Sequence, residues 1–151
     1  MNKFFEFNIN VELVEVFNEC TAYQISIDYL NKALDISINL PINKHRLVKA
    51  YQLRGKSRMF LNNGPQKIKE EDWDIYWNAK KFNYWEAIQD FSKAIEIDPK
   101  NSSLYFWRGF AYEFLEEYST AIKDLTISKQ LNPKCSLTIS ILDHIKSKGF
   151  N

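Results

Sequence analysis

Apolar and polar positions along this chain alternate with the period of a helix. From Tyr84 to Pro99 the segment YWEAIQDFSKAIEIDP carries Tyr84, Ala87, Ile88, Phe91 and Ala94 at i, i+3, i+4, i+7 and i+10, with Asp, Lys and Gln opposite. Residues so spaced share one side of a helix, so the pattern predicts an amphipathic helix. The segment YSTAIKDLTISKQLNP, Tyr118 to Pro133, repeats it in step through Tyr118, Ala121, Ile122, Leu125 and Ser128. A third copy, YQISIDYLNKALDI, keeps it through Tyr23, Ser26, Ile27, Leu30 and Ala33. Proline lacks the helical N–H and disfavours helical dihedrals in the residue before it, so Asp98-Pro99 and Asn132-Pro133 should close their helices.

The interval from Pro99 to Pro133 is about 34 residues, a period of the size used by stacked helical repeats. A second element recurs as well. AYQLRGKSRMFL (Ala50 to Leu61) aligns with LYFWRGFAYEFL (Leu104 to Leu115) through Tyr51/Tyr105, Arg54/Arg108, Gly55/Gly109, Phe60/Phe114 and Leu61/Leu115. A mid-helix glycine costs about 1 kcal/mol against alanine, so Gly55 and Gly109 call for a close neighbour.

These residues resemble the tetratricopeptide repeat (TPR) family, whose unit is a helical hairpin of about 34 residues. Ser102 to Cys135 holds nearly the whole pattern: Tyr105, Gly109, Tyr112, Tyr118, Ala121, Leu125, Ser128 and Pro133. Arg108 stands where the family most often has leucine. The resemblance implies an all-α fold, antiparallel helical hairpins stacked as a short right-handed superhelix in a single domain over 1–151. About three repeats are expected: the first about 8–40, the second about 44–101 and the third 102–135, with a capping helix over 136–148. In the first unit only the second helix matches the pattern. In the second, Gly55 and Ala87 are 32 apart where Gly109 and Ala121 are 12 apart, so an insertion is placed at about 62–83. It opens with the turn signal Asn63-Gly64-Pro65 and holds Trp73, Tyr76 and Trp77 at helical spacing. A rival register makes Ile68 to Asn101 a full repeat and leaves 44–61 as an extra helix.

The family grips peptides on the concave surface formed by the first helix of each hairpin, which directs attention to Lys49, Gln52 and Lys56 and to Phe106, Trp107, Phe110 and Glu113. Tyr105, Gly109 and Tyr112 already account for the inner face of that last helix, so its further aromatics have two readings. Either Phe106, Phe110 and Trp107 form an aromatic shelf for a ligand, or the insertion or the terminal helix covers them as core. The second unit offers Lys49, Gln52 and Lys56 and the first helix Glu12, Glu15 and Glu19 at similar spacing, as bands of charge in a groove or as solvated charge. A ligand with an acidic residue beside an apolar anchor would suit the lysines and aromatics together. If Trp73, Tyr76 and Trp77 lie over the groove, a partner must displace them. The lysine, asparagine and arginine clamp by which one TPR subgroup holds chaperone tails is missing: its positions carry Val11, Glu15, Leu53, Ser103 and Trp107.

Composition narrows the remaining classes. With 20 Lys and Arg against 19 Asp and Glu, the formal net charge is +1 and no field draws the chain onto a polyphosphate. Nucleic acid is not expected as a partner, and a basic stripe would be interrupted by Glu12, Glu15 and Glu19. Cys20 and Cys135 lack metal-ligand spacing, and His45 and His144 stand alone, so neither metal nor cofactor is expected. The chain carries no phosphate loop, GxSxG elbow or HExxH pair. Glu70, Glu71, Asp72 and Asp74 beside Lys67 and Lys69 read as a solvated helix face. The expectation is a non-catalytic, cytoplasmic protein-binding module with no membrane segment. A small specific chaperone or inhibitor masking one client, as in bacterial secretion systems, is the alternative; a nucleic-acid-binding helical repeat ranks third.

Overall fold

The computed structural model describes residues 2–19, 22–61 and 69–150. Among them run seven α-helices and no strand: α1 (Lys3–Glu19), α2 (Tyr23–Ser37), α3 (Lys44–Phe60), α4 (Trp73–Ile97), α5 (Ser102–Phe114), α6 (Tyr118–Leu131) and α7 (Ser136–Ser147), with one 3-10 turn, Glu70–Asp72, ahead of α4. Cys20, the Asn63-Gly64-Pro65 turn, Lys67 and the side chain of Glu19 lie outside the described residues.

Local chemistry sets the helix limits. Asn43 and Asn101 cap α3 and α5, each accepting a bond from the backbone N–H two residues on, His45 at 2.8 Å and Ser103 at 3.2 Å. Asp98 and Asn132, each before a proline, take the same extended conformation, φ −134° with ψ 81° and φ −140° with ψ 85°, and end α4 and α6. Leu115 to Glu117 turn the chain between α5 and α6. There the Glu117 N–H reaches the Tyr112 carbonyl at 2.9 Å and the Glu116 N–H reaches that of Glu113 at 3.0 Å, a Schellman closure with Glu116 at φ 63°.

Consecutive helices pair as hairpins, α1 with α2, α3 with α4 and α5 with α6, and each hairpin stacks on the next through α2–α3, α4–α5 and α6–α7. Beyond these pairs, α1 touches α3, α3 touches α5, and α5 touches α7, whereas α2, α4 and α6 do not meet among the described residues. Helices that meet stand closer than helices that do not, so the surface made by α1, α3, α5 and α7 is the inner, concave one.

The glycines of the two matched helices are where the hairpins close. A Cβ on Gly55 would stand 2.8 Å from two ring atoms of Phe91, and one on Gly109 would stand 2.9 Å from Cγ of Leu125. Each glycine therefore trades helix propensity for a buried side chain of the returning helix. Beside them lie two buried ion pairs. Arg54 donates to both Asp90 oxygens, at 2.6 and 3.1 Å, and to Asn31 Oδ1 of the preceding hairpin at 2.9 Å. Arg108 does the same with Asp124, at 2.7 and 2.8 Å, and reaches Ser92 Oγ of the preceding hairpin at 3.1 Å. Each arginine thus ties its own hairpin together and joins it to the one before. The leucine position that Arg108 occupies is an ion-pair site.

Helix α7 buries Thr138, Leu142 and Ile145, and Leu142 and Ile145 pack with Phe106, Ala121 and Leu125. One repeat after Gly109 stands Asp143, which is exposed. An exposed carboxylate thus stands on α7 where the two preceding hairpins have the glycine that seats the returning helix.

The region expected as an insertion differs from its description in sequence. From Trp73 onward it is not separate: α4 runs unbroken to Ile97. A continuous helix of that length is no hairpin, which removes the rival register. The initial turns of α4 overhang the point where Tyr84 meets Phe114 by about 16 Å, at about 1.5 Å per residue.

Candidate functional site

On the concave side, α3 presents His45, Lys49, Gln52 and Lys56 at i, i+4, i+7 and i+11, a single stripe. This stripe, with Val48, Leu53, Glu15 of α1 and Asn101 ahead of α5, encloses a hollow of about 330 Å³. A second hollow of about 200 Å³ continues from it between α1 and α3, lined by Phe7, Asn8, Val11, Glu12, His45, Arg46 and Lys49. Together they form a groove that crosses the inner face.

The polar groups of the groove differ in their commitments. Lys49 Nζ lies 2.9 Å from Glu15 Oε1, with both side chains largely open to solvent, so the pair holds the rim at little energetic gain. Gln52 donates to Ser103 Oγ at 2.9 Å and links α3 to α5. Arg46 donates to Asn8 Oδ1 and closes the far end. Lys56 is set apart. Its ammonium sits over the Trp107 ring, 4.7 Å from the centroid, and among the described residues it has no carboxylate partner. Burial pushes its pKa below the ordinary lysine value. A partly desolvated cation against an aromatic face is a ready acceptor for an anion.

The residues singled out in sequence fall in three places. Lys49, Gln52, Lys56 and Trp107 come together at the main hollow or its edge. Phe106 does not: it is 8% exposed and packs under α7 with Leu142 and Ile145, so the terminal helix covers it as core. Phe110 is half-buried against the cluster of Met59, Tyr84, Ile88 and Phe91. Glu113 points to the C-terminal end, 3.7 Å from His144 Nε2 and 3.8 Å from Lys148 Nζ.

Trp73, Tyr76 and Trp77 are likewise away from the hollow. Their rings cluster on one another, with Trp73–Tyr76 at 6.1 Å and Tyr76–Trp77 at 5.5 Å, and Trp77 reaches Phe114 at 6.2 Å. Lys80 lies over the same Phe114 ring at 5.2 Å. The overhang therefore shields the end of α5. His45 and Asn101 are among the groove residues that sequence reasoning passed over, as are Phe7, Asn8, Arg46 and Val48. Extending the Lys49–Gln52–Lys56 stripe by one turn finds His45, whereas Asn101 is legible only as a helix cap.

The positions that form the chaperone-tail clamp elsewhere hold other chemistry here. Val11 is buried in the first hairpin's core, Glu15 is paired with Lys49, and Ser103 is bonded to Gln52. No cluster of His, Cys, Asp and Glu among the described residues could hold a metal ion, and no helix there is long and apolar enough to cross a membrane.

Residues 83–113 match the family model described as TPR repeat. Among solved structures, the TPR domain of Arabidopsis OM64 superposes with a TM-score of 0.74 at 17% identity, over 97% of this chain and 99% of that one. MamA gives 0.72 at 14% identity, over 95% and 68%. The second TPR domain of human RPAP3, solved in complex with the HSP70 peptide SGPTIEEVD, gives 0.72 at 17%, over 96% and 98%. No curated protein matches. Hairpins stacked in chain order, glycines seated under the returning helix, and superposition over almost the entire length lead to one conclusion: the chain has the tetratricopeptide-repeat fold, and its residues 83–113 match the model of that repeat.

Proposed function

We propose that this protein is a non-catalytic interaction module that takes a segment of another protein in the groove between α1, α3 and the start of α5. The observation that carries this reading is Lys56, a partly buried ammonium stacked on Trp107 at the edge of a hollow of about 330 Å³, without an internal carboxylate among the described residues. A carboxylate of the ligand would satisfy it, and Trp107 with Val48 and Leu53 would take an adjacent apolar side chain. Support comes from the RPAP3 domain of similar fold, whose bound peptide SGPTIEEVD is acidic. The absent clamp points to a ligand other than a chaperone tail. Recognition here rests on one cation and one ring.

Peptide display against the full chain tests this, followed by calorimetric titration of the selected peptides. Enrichment of sequences with Asp or Glu next to a large apolar residue is expected. Replacing Lys56 by Met should weaken their binding tenfold or more, about what a hydrogen bond to a charged group contributes. Peptides that bind Lys56→Met and Trp107→Ala as tightly as the wild type would refute the groove reading.

A further inference from the structure

The second surface that calls for a partner is the outer face of the α4 overhang. Ile75 is 70% exposed, Phe82 63% and Trp85 45%, and they stand at i, i+7 and i+10 on the side of the helix away from Trp73 and Trp77. Tyr112 steadies Trp85 edge-on, with ring centroids 6.2 Å apart. Further along the same face the helix is polar and exposed, at Gln89, Lys93 and Glu96, as is the outer face of α6 at Ser119, Lys123 and Thr126. The outer face of the rest of α4 and of most of α6 therefore presents polar residues to solvent, whereas the overhang carries a heptad-spaced apolar stripe.

Its flanking charges say what covers the stripe. Asp74 and Lys81 lie one heptad apart on one edge of it, and neither has an ion-pair partner among the described residues. When two such helices pack antiparallel, residues on the same edge face each other, and Asp74 of one copy meets Lys81 of the other, twice over by symmetry. The same operation sets Ile75 against Phe82 and brings the small Asn78 and Ala79 to the centre, where the backbones can approach. A contact in which residue i meets j and j meets i is the signature of a two-fold interface. We propose that the protein forms a homodimer through an antiparallel pairing of the α4 overhangs, built on Ile75, Phe82 and Trp85 and set in register by Asp74 and Lys81. The concave grooves are left free.

Sedimentation velocity of the full chain over a concentration series is the test, with circular dichroism confirming helix content in every variant. The wild type should move from monomer to dimer with rising concentration, and Phe82→Glu should be monomeric throughout. Asp74→Lys and Lys81→Asp should each weaken the dimer by about tenfold, because both symmetry-related contacts become like-charge. The double reversal should restore it. A wild type that stays monomeric to its solubility limit overturns the proposal. So does a dimer indifferent to Phe82→Glu and to the reversals. Lys56→Met should leave the dimer unchanged, and loss of the dimer in that variant would place the contact in the groove, overturning the overhang proposal.

Discussion

The hairpin α3–α4 and the hairpin α5–α6 are built alike inside and differently at their ends. Each seats a bulky side chain of the second helix on a glycine of the first, Phe91 on Gly55 and Leu125 on Gly109. Each ties an arginine to a buried aspartate, and each arginine reaches back to the preceding hairpin, at Asn31 or Ser92. At the loop end they diverge. The α5–α6 hairpin closes in a tight Schellman turn, whereas α4 begins far beyond the end of α3 and leaves Phe82 and Trp85 exposed. The repeat thus constrains the few positions where helices touch and leaves the loop end free to vary.

The ion pairs are where the comparison should break most visibly. Asp90 accepts from two guanidiniums, since Arg58 also reaches it at 2.6 Å and continues to Glu86 at 3.0 Å. Burial pushes the Asp90 carboxyl upward and the two arginines oppose that shift. Asp124 serves one arginine, whose own pKa is raised chiefly by that hydrogen bond. Removing a partner strands buried charge at a cost of about 3–5 kcal/mol. Asp90→Ala should fall in that range, and Asp124→Ala nearer about 2–3 kcal/mol because it strands one guanidinium where Asp90→Ala strands two. Urea unfolding followed by circular dichroism reads both. Replacing Arg108 and Asp124 together by leucine should come out close to neutral, since an apolar pair serves as well as a buried ionic one. Equal small losses at Asp90 and Asp124 would show that the two networks are solvated and hold nothing together.

That network also shows where sequence reading stopped. The helical period, the repeat marked by Pro99 and Pro133 and the closing prolines are local signals, so helices α2, α5, α6 and α7 were legible. Arg54 and Arg108 stood out as a recurring pair, but their partners lie on the other helix of the hairpin. Asp90 and Asp124 recur at the same interval as the two prolines, which is the signal that pairs them with the arginines once the fold is known. The site was half legible. Spacing alone puts Lys49, Gln52 and Lys56 on one face, yet periodicity cannot say which of two apolar faces of α5 is covered by α7. Phe106 therefore kept both readings, ligand contact or core, until α7 was seen to pack over it.

A smaller effect separates the two glycines. Alanine gains about 1 kcal/mol of helix propensity at either site but must displace close-packed atoms, at about 1–3 kcal/mol. At Gly55 the nearest obstacle is the edge of the Phe91 ring. At Gly109 the new methyl would press on Leu125 and also approach Cβ of Asp124 at 3.2 Å, disturbing the carboxylate that holds Arg108. Gly109→Ala should therefore be the more destabilising, by about 1 kcal/mol over Gly55→Ala. A double-mutant cycle with Asp124→Ala checks the cause: the excess should vanish when the carboxylate is already gone.

The mildest change concerns the tight turn that the α5–α6 hairpin has. Glu116 holds φ 63°, a left-handed conformation in which a Cβ is strained and glycine is at ease. Its side chain is exposed, so replacement removes no packing. Glu116→Gly should raise stability by about 0.5–1 kcal/mol, the relief of the left-handed strain less the entropy that glycine adds to the unfolded chain. Thermal unfolding of the single variant measures it. Glu116→Ala supplies the control, because alanine keeps the strain and removes only the charge. A gain shared equally by both variants would assign the effect to charge, since Glu113 and Glu117 are acidic neighbours in sequence and their repulsion would outweigh the attraction of Lys148 for Glu116. A gain confined to glycine would show that the short loop of this hairpin is held at the expense of its own backbone.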